Sequence, residues 1–196
     1  MQNSKLRIGI ISAEKSGDYL AESFIDSLKS SCRDFELFGI GGKELDKFNI
    51  SRPLDFDKEI LNVMGIIDPL KNLRPILRAR KKILDFFISK NINIFIGVDS
   101  PDLNSFFHKK LKKTNSIINF QIVSPSVWAW RSGRVKQLRK FVDTTFCLFE
   151  FEHKYLKKHD VNSFHVGHPF QDIEKVEDVS SIKNRYGIKN DSECLT

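Results

Sequence analysis

The chain is poor in cysteine, has no long apolar run and lacks both common nucleotide-binding glycine fingerprints, and each shortage closes off a class of protein. The three cysteines among 196 residues, Cys32, Cys147 and Cys194, are odd in number, far apart and without a Cys-x-x-Cys pair. Neither a disulfide framework nor a zinc site is indicated, and the thiols are expected to be reduced and inert. Nowhere do about 20 apolar residues follow one another, so no membrane-spanning helix is expected. Met1-Gln2-Asn3-Ser4-Lys5 leads into an apolar stretch without a cleavage pattern, which gives a cytoplasmic expectation. With neither Gly-x-Gly-x-x-Gly nor a P-loop, a dinucleotide oxidoreductase and an NTPase are both disfavoured. Of five histidines only His165 and His168 lie close together, and no cysteine or carboxylate at ligand spacing joins them, so no metal is expected.

What the chain has in quantity is apolar surface and positive charge. Hydrophobic residues make up 40% of it, with seventeen phenylalanines, enough for one domain with a substantial core. Apolar runs alternate with amphipathic stretches: strands Leu6–Ile11, Phe35–Ile40, Ile92–Val98, Ile117–Val123, Thr144–Phe149 and Ser163–Val166, and helices Asp18–Ser30, Pro75–Lys90, Leu103–Lys113, Gly133–Phe141 and Glu150–His159. This alternation predicts an α/β fold with a doubly wound parallel sheet. Gly39-Ile40-Gly41-Gly42-Lys43 reads as a tight turn. Gln171 to Ser181 is polar and acidic and Ser181 to Tyr186 fits a short helix before Gly187, which predicts a Rossmann-like domain over 1–170 and, over 171–196, a linker and the start of a further domain.

The net charge of +7 and a pI near 9.3 invite a nucleic-acid reading, with His108-Lys109-Lys110-Leu111-Lys112-Lys113 as its focus. No recognition-helix, RNA-binding or zinc-finger pattern accompanies it, so no nucleic-acid partner is expected. The other basic cluster, Lys71, Arg74, Arg78, Arg80, Lys81 and Lys82, shares its segment with Ile66, Leu70, Leu73, Leu77 and Leu84 at helical spacing. Such a helix fits an anionic membrane surface. It equally fits an ordinary helix whose stripe faces the sheet.

Polar chemistry gathers where strands end. Leu6–Ile11 runs into Ser12-Ala13-Glu14-Lys15-Ser16-Gly17-Asp18, Ile92–Val98 into Asp99-Ser100-Pro101-Asp102-Leu103-Asn104, and Ile117–Val123 into Ser124-Pro125-Ser126-Val127-Trp128-Ala129-Trp130-Arg131, which holds both tryptophans. Open α/β sheets bind ligands outside the carboxyl ends of their strands, so these loops predict a shared pocket. Taken alone, the tryptophans fit a core cap as well as a site. Asp102, near the start of a helix, is expected as its N-cap.

These loops, with Val63-Met64-Gly65-Ile66 and Val166-Gly167-His168-Pro169, resemble the lipid-A-disaccharide synthase family in order and spacing; the tryptophan block is the most specific of them. The resemblance runs from about Leu6 to the C-terminus and matches only the N-terminal, acceptor-side half of that enzyme. It implies a GT-B architecture whose donor-binding domain is missing here. It also implies an inverting transfer, without a cofactor, from UDP-2,3-diacylglucosamine to 2,3-diacylglucosamine 1-phosphate, giving a β(1→6) disaccharide and UDP in lipid A biosynthesis. A location at the inner face of the inner membrane follows from the acylated substrates. By the same resemblance Asp99 is the candidate base, and Ser16, Gly17, Asp18, Met64, Gly65, Asn104, Ser124, Ser126, Trp128, Trp130, Arg131 and His168 are candidate substrate contacts. A fragment, a truncated gene and one half of a split enzyme all fit the missing half. A non-catalytic lipid- or sugar-phosphate-binding module on the same scaffold is the alternative.

Overall fold

A computed structural model describes residues 5–31, 34–53, 73–114, 117–126, 132–169, 185 and 187. In chain order these form β1 Leu6–Ser12, α1 Lys15–Ser31, β2 Phe35–Ile40, a 3-10 helix Lys43–Phe48, α2 Leu73–Ser89, β3 Ile94–Val98, α3 Pro101–Leu111, a 3-10 turn Lys112–Thr114, β4 Ile118–Ile122, α4 Ser132–Phe141, β5 Thr144–Cys147, α5 Glu150–Lys157 and β6 Ser163–His165. The six strands make one sheet of order β2-β1-β3-β4-β5-β6, parallel throughout. Ile10 pairs with Gly39 on one side and Ile96 on the other, and Val98 lies between Ser12 and Ile122.

Strand alternation explains how both faces of this sheet are covered. Ile8, Ile10, Ile96, Val98 and Ile122 pack with Ala21 and Ile25 of α1. The residues between them, Ile11 and Phe95, pack with Ile83 and Phe87 of α2 and with Leu103, Phe107 and Leu111 of α3. Phe87, Phe95 and Phe107 are fully buried, with ring centroids 5.6, 5.9 and 6.1 Å apart. Each such ring contributes about 1.5–3 kcal/mol by leaving water, which accounts for part of the phenylalanine content. A third cluster joins Val135 and Leu138 of α4 to Cys147 and Leu156.

The doubly wound parallel sheet expected from the sequence is present, with small shifts at the ends of its elements. The helix α1 starts at Lys15 rather than Asp18, and α3 starts at Pro101 rather than Leu103, because proline is pre-set for the first helical position. The N-cap position of α3 is Ser100, so Asp102 does not cap it: it stands in the first turn and ion-pairs with Arg134 at 2.6 Å. In α2 the core-facing stripe is Ile76, Ala79, Ile83 and Phe87, and Leu77 is 47% exposed. Leu84 packs partly buried against the core, whereas Ile66, Leu70 and the Leu73 side chain lie outside the described residues. Apart from Arg185 and Gly187 the expected linker, 171–196, also lies outside them. No helix among the described residues is long and apolar enough to cross a membrane.

Candidate functional site

The strand order changes direction at β1: β2 lies to one side of it and β3 to the other. Loops leaving the two strands at such a point diverge and open a crevice. Here the crevice is a cleft of about 590 Å³. The β1 loop lends it Ala13 and Glu14, the β3 loop Asp99 to Leu103, the β4 loop Val123 to Ser126, and helices α4 and α5 add Arg134, Phe151 and Glu152.

Asp99 is half-buried at the end of β3, with its backbone N–H donated to Ile122 O at 2.9 Å. Its φ is 48° and that of Ser100 is 37°, while Val123, on the neighbouring strand end, has φ 71°. Three cleft-lining residues that are not glycine thus sit in the left-handed region, which a β-branched residue such as Val123 seldom enters. Strain of this kind concentrates at functional sites.

The cleft mixes charge and flat apolar surface. Arg134, with only 18% of its side chain exposed, gives a hydrogen bond to Asp102, which is 72% exposed. Phe149 and Phe151 stack with ring centroids 5.8 Å apart and an interplanar angle of 17°, and about half of each ring is exposed. Beneath them Glu152 is buried and accepts the N–H of Phe149 at 3.2 Å. Burial pushes its pKa up, against the lowering influence of the backbone N–H groups of Phe149 and Leu148.

The expected site residues divide into groups. Asp99, Ser124 and Ser126 line the cleft together, with Ser124 buried and its hydroxyl donated to Pro125 O at 3.2 Å. Gly17 is buried where the first turn of α1 meets the ends of β1 and β3: a Cβ there would stand 2.9 Å from Ser12 Oγ and 3.8 Å from Asp99 Cβ. Ser16 is exposed in that turn and does not line the cleft. Asp18 is buried and turned toward the Gly41-Gly42 turn; its pKa is raised by burial, in opposition to the Gly42 amide and the Ser12 hydroxyl. Asn104 is fully buried and reaches the cleft only through Asp99, whose carbonyl oxygen accepts from its Nδ2 at 2.8 Å.

His168 lines a second cleft, of about 390 Å³, with Leu20, Phe24, Phe146 and Val166, and its ring lies 6.3 Å from that of Phe149. Met64, Gly65, Trp128, Trp130 and Arg131 lie outside the described residues. Sequence reading missed Glu14, Arg134, Phe149, Phe151 and Glu152 as cleft residues. Glu14 stood within a recognised loop, and the aromatics follow a strand end, so both had a signal; Arg134 is one of many basic residues on helices and had none.

An open parallel sheet with a polar cleft at its switch point defines a Rossmann-like α/β unit, a class that binds ligands at its strand ends. The same fold is found in a glycosyltransferase from Rickettsia africae, at a TM-score of 0.50 and 13% identity, over 96% of this chain and 51% of that one. The chain belongs to the lipid-A-disaccharide synthetase family, whose model matches residues 8–196. It is 38% identical over 172 residues to a lipid-A-disaccharide synthase of Acinetobacter baylyi, covering 86% of this chain and 42% of that protein. It is 35% identical to the synthase of Francisella philomiragia, covering 94% and 48%, and 33% identical to lipid-A-disaccharide synthase 2 of Legionella pneumophila, covering 100% and 50%. The chain spans about half the length of these curated relatives.

Proposed function

We propose that this chain is the acceptor-side, N-terminal half of a GT-B glycosyltransferase of lipid A biosynthesis, which works together with a donor-binding half. The reaction joins UDP-2,3-diacylglucosamine to 2,3-diacylglucosamine 1-phosphate. The acceptor's 6-hydroxyl oxygen attacks the donor anomeric carbon, the bond from that carbon to the UDP oxygen breaks, and a β(1→6) disaccharide and UDP result. A neutral hydroxyl is a poor nucleophile, so its proton must pass to a base as the new bond forms. Asp99 takes that proton. The observation that carries this reading is a carboxylate on a strained strand end, lining the cleft at the sheet's switch point.

The remaining groups take supporting roles. Ser16 and Gly17 lie in the first turn of α1, whose free N–H groups and dipole suit the acceptor phosphate or part of the donor. Ser124 and Ser126 offer hydroxyls, and Arg134, with Arg131, offers guanidinium forks for phosphate oxygens. Phe149 and Phe151, with Trp128 and Trp130, give flat surfaces for sugar or acyl groups. Met64, Gly65 and His168 are further substrate contacts; Asp18 and Asn104, both buried, act by holding the loops.

Peripheral binding to the inner membrane belongs to the same proposal. On α2 the exposed Leu77 and Ile88 flank Arg74, Arg78, Lys81 and Lys82, so an apolar edge and a basic face share one surface. The proposal is tested by supplying both substrates to the purified chain, alone and with a donor-binding half from a relative. It predicts acceptor binding without transfer alone, and disaccharide once the second half is present. Steady turnover by 1–196 alone would contradict it, and binding that never yields disaccharide in either mixture would favour the binding-module alternative.

A further inference from the structure

Backbone held in the left-handed region at Asp99, Ser100 and Val123 persists only where its surroundings fix it. The fixing groups lie on the α3 face of β4. That strand is apolar at Ile118, Phe120 and Ile122, yet the residues between them are the buried amides Asn119 and Gln121. They serve different partners. Asn119 donates to His108 O at 3.2 Å and Phe141 O at 2.9 Å, which ties α3 to the end of α4. Gln121 Nε2 instead stands 3.0 Å from Asp99 O, 3.0 Å from Ile122 O and 3.3 Å from Val123 O, so it holds the strand ends on which the strain lies.

The orientation of that amide is itself fixed. With three carbonyl oxygens around Nε2, Gln121 must turn Oε1 toward His108, whose Nε2 lies 3.0 Å away. An oxygen there requires a donor, so His108 carries its proton on Nε2. Burial keeps this ring neutral by lowering its pKa to about 4, and its edge packs on Phe95 at 5.0 Å. From the other side Asn104 Nδ2 donates to Asp99 O at 2.8 Å and lies 3.3 Å from Val98 O. His108, Gln121 and Asn104 are all absent from the lining of the cleft.

We propose that Gln121, oriented by His108 and assisted by Asn104, is a positioning residue that sets the Asp99 carboxylate in the cleft by clamping its main-chain carbonyl. This rests on Asp99 being the proton acceptor. An apolar side chain at 121 would fill the same space and leave the strained turn free to relax.

The test follows amide hydrogen exchange in the 196-residue chain, because Asp99 N–H is bonded to Ile122 O and Val123 N–H to Phe146 O. In Gln121→Met, protection at Asp99 and Val123 is expected to fall about tenfold or more, while amides in the middle of β1 and β3 keep theirs. Should that variant not fold, His108→Phe keeps the ring packing, removes the orienting donor and is read in the same way. With a donor-binding half supplied, the folded variant should lose about tenfold in kcat with KM within about twofold. Unchanged protection, or lost protection with unchanged kcat, overturns the proposal and leaves the reading of Asp99 intact. Full turnover by Asp99→Asn, run alongside, overturns that reading and the positioning role together.

Discussion

Gln121 Nε2 meets the carbonyl oxygen of Asp99 at 3.0 Å, so the neighbouring strand grips the candidate base by its main chain and leaves the carboxylate to the cleft. On the proposed role of Asp99, residues remote from solvent bear on the chemistry. The arrangement also yields expectations that can be checked without substrate.

Gly97→Ala is expected to destabilise the chain by about 1–3 kcal/mol, the usual cost of overpacking a filled interior. A Cβ at 97 would stand 2.8 Å from Asn104 Cβ and 2.9 Å from Asn104 Nδ2, the atom that donates to Asp99 O. Denaturant unfolding of Gly97→Ala, Asn104→Ala and the double variant measures this. Asn104→Ala removes Cγ and Nδ2 but keeps the Cβ at 2.8 Å, so the double variant should recover only part of the overpacking loss relative to the summed single losses.

His108 should make the fold sensitive to mild acid. Its pKa is lowered to about 4, chiefly by burial, so between that value and 6.5 the unfolded chain binds a proton that the folded chain refuses. Stability therefore falls as pH falls through this window, by about 3 kcal/mol when complete. Asp18 and Glu152, whose pKa values burial raises, act in the opposite sense. The difference between wild type and His108→Phe isolates the histidine: their stabilities should converge as pH is lowered from 7 toward 4, and parallel curves would contradict the assignment.

Cys147 is buried, and burial pushes its thiol up to about 12, so almost none of it is thiolate at neutral pH. Ellman's reagent should leave Cys147 unmodified in the native chain and reach it only on unfolding, as mapped by mass spectrometry. Modification at the rate of a free thiol would mean that the α4–α5 cluster opens readily.

The fold was legible because parallel strands are short apolar runs and their helices carry amphipathic spacing, as with Ile92–Val98 followed by Leu103–Lys113. The convergence of strand ends was legible in part: Asp99, Ser124 and Ser126 line one cleft, and their proposed roles are what the variants probe. Burial was not legible at Asp18 and Asn104, which the resemblance gives as candidate contacts and which tertiary packing turns inward. Within the apolar run Ile117–Val123, Asn119 and Gln121 alternate with the apolar residues; two buried amides two residues apart mark a polar network whose partners, His108 and Phe141, are distant in sequence. Boundary shifts at Lys15 and Pro101 reflect helix starts at positions that local composition marks as loop.

Binding to anionic vesicles should depend on α2. Each basic residue near such a surface contributes about 1 kcal/mol, so replacing Arg78, Lys81 and Lys82 with glutamine should markedly reduce co-sedimentation at low salt. Salt should reduce wild-type binding likewise. Indifference of the wild-type chain to anionic vesicles would leave the exposed Leu77 and Ile88 without a membrane role.

The most direct measurement is the turnover of Asp99→Asn in the chain completed by a donor-binding half, with folding checked by thermal melting. Loss of a general base costs about 10²–10⁴-fold, and a loss of that size in kcat with an unchanged melting temperature is the expected result. Turnover within a few-fold of the parent in well-folded protein would contradict the role of Asp99 and move the search for the base to the other carboxylates of the cleft, Glu14, Asp102 and Glu152.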